Sequence, residues 1–380
     1  MTDFDKVYDR SASNSVKWDK YQGQDILPMW VADMDFRSPS PVIDAIKEKA
    51  EEGILSYGNP PPELSSVFIN RMERMYGWQV RDEDIVFING VVPALNMACR
   101  ALVGKNEALI TATPIYTPFL EVGENNDVKL FKIKAEEGAD GWKYPLEALE
   151  GSLRNHPEIK MLLLCNPFNP IGRSLRKIEL IKIVSLCKQY DVWICSDEIH
   201  CELVFDDTVH FPVANLSAEA ADISISLMAP TKTFNLAGVG GSIAIINNQE
   251  VREKFCIAKR GMCARVSTLT FAAMLAAYRD CEAWKEDLLQ YLQDNRDYLL
   301  SRMSKIDGIR MNHVESTYLA WLDVRSLGLN DPQHFFESAG VGLSPGSQYE
   351  GPEYMRLNFA CPRSVLADAC DRIEKAVRNQ

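Results

Sequence analysis

The sequence contains no C-x-x-C pair, no apolar run near membrane-spanning length, no internal repeat and no low-complexity tract. Histidine is scarce, with five in 380 residues, and base is outnumbered by acid, giving a formal net charge of −12. Each shortage excludes something. Ten cysteines scattered singly between Cys99 and Cys370 fit reduced thiols in a cytoplasmic protein, not a disulfide framework or a zinc site. His210, His313 and His334 stand apart without metal-ligand spacing, so no metal site is expected. The first ten residues are charged and lack the apolar core of a secretion signal. No membrane span is expected. The acidic balance disfavours nucleic acid or anionic membranes as partners, and nothing in the chain resembles a helix-turn-helix reader.

What is present is an ordinary globular composition, long enough for two or three domains or one large domain with a satellite. Short apolar runs at Ile85–Ile88, Ala108–Thr111, Lys129–Ile133, Met161–Cys165, Val192–Cys195, Ile223–Met228 and Ser242–Ile246 read as strands. Helical patterns such as Val92–Leu102 and Lys177–Tyr190 lie between them. This alternation predicts an α/β domain around a mostly parallel sheet covered on both faces. Upstream, Met1–Gln24 reads as a polar arm. Ile26–Phe36 is apolar but carries Asp33 and Asp35, which a simple core strand would avoid. Ser40-Pro41 reads as a helix start with Ser40 as the N-cap, and Ser56–Pro62 as a turn-rich loop holding Tyr57.

In such sheets ligands bind beyond the carboxyl ends of the strands. The first strand runs into Asn89-Gly90-Val91-Val92, a turn into a helix whose free N–H groups suit a phosphate. The second leads to Tyr116. The fourth ends in Asn166-Pro-Phe-Asn169-Pro-Ile-Gly172, where proline geometry leaves the Asn169 amide free. The fifth ends in Asp197, a carboxylate that is costly to bury after Val-Trp-Ile-Cys unless it meets a cation. The sixth leads to Thr231-Lys232. Alone, Lys232 reads as a loop lysine; at a buried strand end it can lose charge and become a nucleophilic amine.

Together these segments, with Thr231-Lys-Thr-Phe-Asn-Leu-Ala-Gly238 and the late Arg356-Leu-Asn, resemble the fold-type-I, pyridoxal-phosphate-dependent aminotransferase superfamily. Leu27-Pro-Met-Trp-Val-Ala-Asp-Met-Asp-Phe36, Ser196-Asp-Glu-Ile-His200, Glu315-Ser-Thr-Tyr-Leu-Ala-Trp321 and Arg356-Leu-Asn-Phe-Ala-Cys-Pro-Arg363 look like its MalY/PatB-type cystathionine β-lyases, or C–S lyases. The likeness spans about residues 17–365. It implies a Schiff base between Lys232 and pyridoxal 5′-phosphate, with Lys232 also the catalytic base. Asp197 would face the pyridine nitrogen, Asn169 and His200 the ring hydroxyl, and Tyr116 the ring face. Backbone amides of Val91 and Val92, with Thr231, would hold the phosphate, joined by Tyr57 of a neighbouring subunit in a shared-site homodimer. Arg356, Asn169 and the backbone at Ala32 would take the substrate carboxylate. The implied fold is a large domain with a seven-stranded sheet between helices, residues 51–278. A smaller α+β domain would be built from the N-terminal arm, 1–50, and the C-terminal third, 279–380.

Two departures refine the likeness. The common aminotransferase pattern has Ser or Gly three before the lysine and an arginine eight after it; here these are Ala229 and Gly240. That favours the lyase subgroup, which generally lacks the arginine. Pro345-Gly-Ser-Gln-Tyr349 departs from the subgroup's more usual Gly-x-x-Phe-Gly and leaves the substrate open. The Cys281–Lys305 pattern, with Trp284, Leu288, Leu292, Leu299 and Met303 on one stripe, predicts a core helix. Tyr318–Asp323 and Tyr354–Phe359 read as strands and Val365–Val377 as a closing helix. The expected activity is α,β-elimination on L-cystathionine or a cysteine S-conjugate. Transamination and a biosynthetic lyase for a larger cysteine conjugate are the alternatives, and regulation through protein contacts is a further role known in the subgroup.

Overall fold

The structure is a computed structural model that describes residues 2–138 and 141–380. All seven expected strands form, as β1 (Ile85–Ile88), β2 (Ala108–Thr113), β3 (Lys129–Lys134), β4 (Ile159–Cys165), β5 (Trp193–Asp197), β6 (Ser224–Met228) and β7 (Ser242–Ile245). They lie in one sheet in the order β1-β7-β6-β5-β4-β2-β3. Only β7 runs against its neighbours, β1 and β6; the rest pair in parallel. The apolar runs are continuous because both faces are covered: every residue of β2 and of β6 is buried. In β7, Ile243 and Ile245 pack with Phe234 and Phe271 on one side while Ala244 packs on the other, the two-residue alternation of a strand.

The helices that frame the site are α1 (Ser40–Glu51), α2 (Pro62–Tyr76), α3 (Val91–Leu102), α4 (Lys177–Gln189), α5 (Thr268–Asp280), α6 (Glu282–Met303) and α7 (Arg363–Arg378). One expectation is corrected at α1. Its N-cap is Pro39, with no side-chain cap, and Ser40 is already the first helical residue. Pro41 therefore sits at the second position, where a missing N–H is still harmless.

The C-terminal third forms a second sheet from β8 (Arg310–Met311), β9 (Leu319–Asp323), β10 (Ser344–Pro345) and β11 (Tyr354–Asn358), ordered β8-β9-β11-β10 and antiparallel throughout. The α6 stripe of Trp284, Leu288, Leu292, Leu299 and Met303 is buried. Each such side chain contributes roughly 1.5–3 kcal/mol of burial free energy. The arm joins this unit: Leu27–Pro28 pairs in parallel with Val341–Gly342, and Phe4 packs among Phe36, Trp284 and Tyr291. Asp33 and Asp35 find their counter-ion in Lys17, itself 1 % exposed, at 3.4 and 2.8 Å.

Two buried groups brace the loops that follow β4, β5 and β6. Arg71 is paired with Glu202 and Glu282, and its guanidinium lies 5.8 Å from the ring of Phe234 and 5.6 Å from that of Tyr278. Gly172, closing the Asn166–Gly172 loop, accepts hydrogen bonds from the Glu315 and Ser316 amides at 2.8 and 3.0 Å, docking that loop on the second sheet. Its φ is +71°, and a Cβ there would sit 2.7 Å from Val314 Cγ1. Gly172→Ala combines left-handed strain with a clash between packed elements, so a loss of roughly 2–4 kcal/mol is expected in denaturant unfolding. A loss below about 1 kcal/mol would show that the contact relaxes freely.

Candidate active site

The carboxyl ends of the strands converge on a cavity of about 240 Å³. β1 contributes Asn89, Gly90 and the first residues of α3, Val91 and Val92. β2 leads to Tyr116, β4 to Cys165 and Asn169, and β5 to Asp197, Ile199 and His200. β6 leads to Thr231 and Lys232, and Ala32 closes the wall. A larger open groove of about 610 Å³ beside Gly58–Pro60 and Arg260–Val266 carries none of these strand-end groups.

Lys232 Nζ donates to the Ala32 carbonyl oxygen at 2.6 Å. Burial, reinforced by the charge of Arg356, lowers its pKa to about 8 against the opposing pull of Asp33 and Asp197. Asp197 ends β5 and is 5 % exposed. Burial raises its pKa to about 7, although Oδ1 accepts the Ile199 N–H at 3.0 Å and Lys232 lies nearby. His200 is driven the other way, to about 3, by burial and then by the charges of Lys232 and Arg356, so its ring is neutral. Its Nδ1 is buried without a partner. Burial also raises the phenol pKa of Tyr116.

Arg356, 3 % exposed on β11, stands behind Asn169. One guanidinium nitrogen donates to Asn169 Oδ1 at 3.1 Å and the other to the Trp30 carbonyl at 2.8 Å; the face lies 4.7 Å from the Tyr349 ring and Nε has no partner. With its oxygen engaged by Arg356, Asn169 keeps its NH₂ free toward the cavity. The expected residues thus meet, with one exception. Tyr57 is 92 % exposed and outside the cavity wall of its own chain.

These unmet needs fit pyridoxal phosphate. A buried carboxylate with one backbone donor calls for a cation, as a protonated pyridine nitrogen is. Asn169 and His200 offer a free donor and a free ring nitrogen for a ring oxygen, and the start of α3 offers N–H groups to a phosphate. The arginine expected of aminotransferases is excluded at Gly240 on steric grounds: φ is +74° and a Cβ would lie 2.9 Å from the Asn89 carbonyl oxygen.

Residues 25–373 match the aminotransferase class I and II family. The chain belongs to that family. The cystathionine β-lyase PatB of Bacillus subtilis is 36 % identical over 98 % of this chain and 99 % of its own length. The crystal structure of OvoB superposes with a TM-score of 0.97 at 38 % identity, covering all of both chains. That of cystalysin from Treponema denticola, which contains a pyridoxal 5′-phosphate cofactor, gives 0.96 at 29 % identity, covering 100 % of this chain and 99 % of its own. Within the family the chain therefore groups with the MalY/PatB type and has its α/β fold.

Other residues at the site carried no signal of their own in the sequence. Asn235, at φ +56°, accepts the Met34 N–H through Oδ1 and donates through Nδ2 to the Met34 and Phe36 carbonyls. Tyr318 donates to the Ala32 oxygen at 3.0 Å. Asn235 and Tyr318 both lie inside quoted motifs, which was the available clue. His210, read as isolated, pairs with buried Glu198 at 2.9 Å. Among the described residues no cluster of three or more His, Cys, Asp or Glu could hold a metal, and no helix is long and apolar enough to cross a membrane.

Asp197 makes the site sensitive to pH. Its folded pKa of about 7 lies above its ordinary 3.8. Between those values the folded chain holds a proton that the unfolded chain has released, so raising pH through that window destabilises the cofactor-free protein. Asp197→Asn should flatten the fall of melting temperature with pH. An equally steep fall in that variant would assign the titration to another group.

Proposed function

We propose that this protein is a pyridoxal-phosphate-dependent C–S lyase. It takes L-cystathionine or another cysteine S-conjugate plus water to a thiol, pyruvate and ammonia. One observation carries the reading: a lysine with a pKa of about 8 and a buried carboxylate in need of a cation converge at one cavity, with a buried arginine directly behind its Asn169 wall. Relatives named for this reaction and the glycine at 240 support the lyase over the transaminase.

Bound pyridoxal phosphate supplies an electron sink for the pair left when a substrate Cα–H bond breaks. The protein does the rest. Lys232 Nζ, neutral in a large fraction near pH 8, accepts the Cα proton and can return it to the departing sulfur. Asp197 keeps a negative charge opposite the ring nitrogen and so holds the ring in its electron-withdrawing form. Asn169 and His200 fix the ring oxygen, Tyr116 the ring face, and Val91, Val92 and Thr231 the phosphate end. Arg356 grips the α-carboxylate with a planar fork, assisted by Asn169 and the backbone at Ala32. A carbonyl accepts only, so the Ala32 contribution to a carboxylate must come from its N–H.

A homodimer completes this reading. Tyr57 belongs to an exposed apolar group with Ile54 and Leu55, at 75 and 64 % exposure, and Ile257 and Met262 are 60 and 59 % exposed. Such surface is usually covered by a partner, and a second copy would bring Tyr57 to the neighbouring phosphate. Division into 1–50 with 279–380 and 51–278 accords with the two sheets. A cytoplasmic setting accords with ten unpaired cysteines.

Pyruvate release from an S-substituted cysteine with no 2-oxo acid present tests the lyase directly; amino transfer that requires such an acceptor would decide for the transaminase. Lys232→Ala should lose turnover by at least about 10³-fold and lose the cofactor's visible absorbance. An active yellow variant would refute the assignment of Lys232. Arg356→Lys should raise KM roughly ten- to hundredfold, since an ammonium cannot make the two-pronged contact. An unchanged KM would place the carboxylate elsewhere.

A further inference from the structure

The lysine amine has a specific resting place, and its surroundings are built with unusual care. Ala32 sits in a bent segment whose flanking carbonyls, Val31 and Asp33, both accept from Asn358 Nδ2, at 2.5 and 2.6 Å. The Ala32 oxygen between them is not taken by Asn358 and instead accepts from Lys232. Two residues on, Asn235 holds Met34 by both its N–H and its carbonyl, and Phe36 by its carbonyl. Asn235 is three residues after Lys232, so one loop carries both the lysine and the clamp on its acceptor.

The Ala32 oxygen has two lone pairs, and both are used: Lys232 Nζ at 2.6 Å and the Tyr318 hydroxyl at 3.0 Å. Tyr318 is 1 % exposed, directly precedes β9, and packs edge-on to His200 with ring centres 5.9 Å apart. Its hydroxyl has this carbonyl as its one partner among the described residues. Nothing in the proposed reaction gives it a role.

We propose that Tyr318 is a positioning residue for Lys232, acting through the Ala32 carbonyl oxygen that both side chains share. The inference rests on the assignment of Lys232 as the working base. By donating to the oxygen, Tyr318 fixes the direction of the remaining lone pair and so the place where the amine waits between proton transfers. It also draws electron density from that oxygen. An ammonium gains more than an amine from a full acceptor, so the tyrosine biases Lys232 toward its neutral form. The other groups facing Lys232 are Asp33, Asp197 and Arg356, with neutral His200 and the Tyr116 phenol at the cavity wall. None of them touches the Ala32 oxygen.

Tyr318→Phe keeps the ring and removes the donor. In purified full-length protein stripped of cofactor, competitive acylation of Lys232 across pH, read by peptide mass, reports the amine directly and needs no turnover. The wild-type midpoint is expected near 8 and the variant's distinctly higher. In loaded enzyme the same change should lower kcat roughly tenfold with KM within about twofold and the acidic limb of the pH profile, where the base loses its proton, moved upward. An unchanged acylation midpoint together with an unchanged kcat overturns the proposal. A thermal melt must match wild type; if Tyr318→Phe does not fold, Tyr318→Leu, which also removes the donor and adds no charge, should raise the midpoint in the same way. No rise there overturns it equally. Should pyruvate release fail altogether, the lyase reading falls while the acylation result still judges Tyr318.

Discussion

The site depends on how the segment Met29–Phe36 is held. It belongs to the C-terminal unit, through Leu27–Pro28 pairing with Val341–Gly342 and through the Asn358 N–H to the Met29 carbonyl at 2.9 Å, yet it forms a wall of a cavity at the edge of the first sheet. Its carbonyls are consumed in order: Trp30 by Arg356, Val31 and Asp33 by Asn358, Ala32 by Lys232 and Tyr318, Met34 and Phe36 by Asn235. A backbone group left unpaired here would lose about 1–3 kcal/mol, so the segment and the side chains that serve it stand or fall together. That is how an arginine on β11 and a lysine beyond β6 come to share one site. The coupling also explains the aspartates. Asp33 and Asp35 interrupt an apolar run because buried Lys17 locks the segment from its outer side.

Burial then does the chemical tuning. The same loss of water that pulls Lys232 down toward neutrality pushes Asp197 up and strips His200 of any charge in the physiological range. These are opposite shifts with one cause, each disfavouring the charged form. An arrangement of this kind is poor as a structural ion-pair network, because the carboxylate and the lysine are not hydrogen-bonded to each other among the described residues. It is well suited to a ligand that brings a cation to Asp197 and an electrophile to Lys232.

How far the sequence reveals this varies by the kind of interaction. The seven strands, the α6 stripe and the convergence of Asn169, Asp197 and Lys232 were legible because they follow from local pattern and from the rule that parallel sheets bind ligands at their carboxyl ends. Long-range side-chain to backbone bonds were not. Asn235 and Met34 are 201 residues apart, and Tyr318 and Ala32 286. An Asn inside Thr-Phe-Asn-Leu, or a Tyr ahead of a strand, carries no periodicity that names a partner. The pairing of Lys17 with Asp33 and Asp35 was hidden for the same reason, although the aspartates themselves raised the question. Helix α1 shows a smaller limit: serine before proline marks a helix start, but the backbone of Pro39 lets the helix begin one residue early.

The phosphate end is where backbone replaces side chain. The Asn89 carbonyl accepts the Gly241 N–H at 2.9 Å, which brings the chain after Lys232 so close to the β1–α3 turn that residue 240 cannot carry a Cβ without strain. An arginine at that position and this close approach are therefore alternatives. With the approach chosen, an anion held there would draw on N–H groups at the start of α3, the helix dipole and the Thr231 hydroxyl, which supply field but no full charge. Among the described residues Lys232 is then the only cation in the cavity wall, with Arg356 behind it. Both are committed to other work, so a single chain under-neutralises a phosphate. The exposed Tyr57 loop and the basic stretch near Arg260 and Arg265, which line one groove beside β1, are the surfaces from which a second copy could make up the difference.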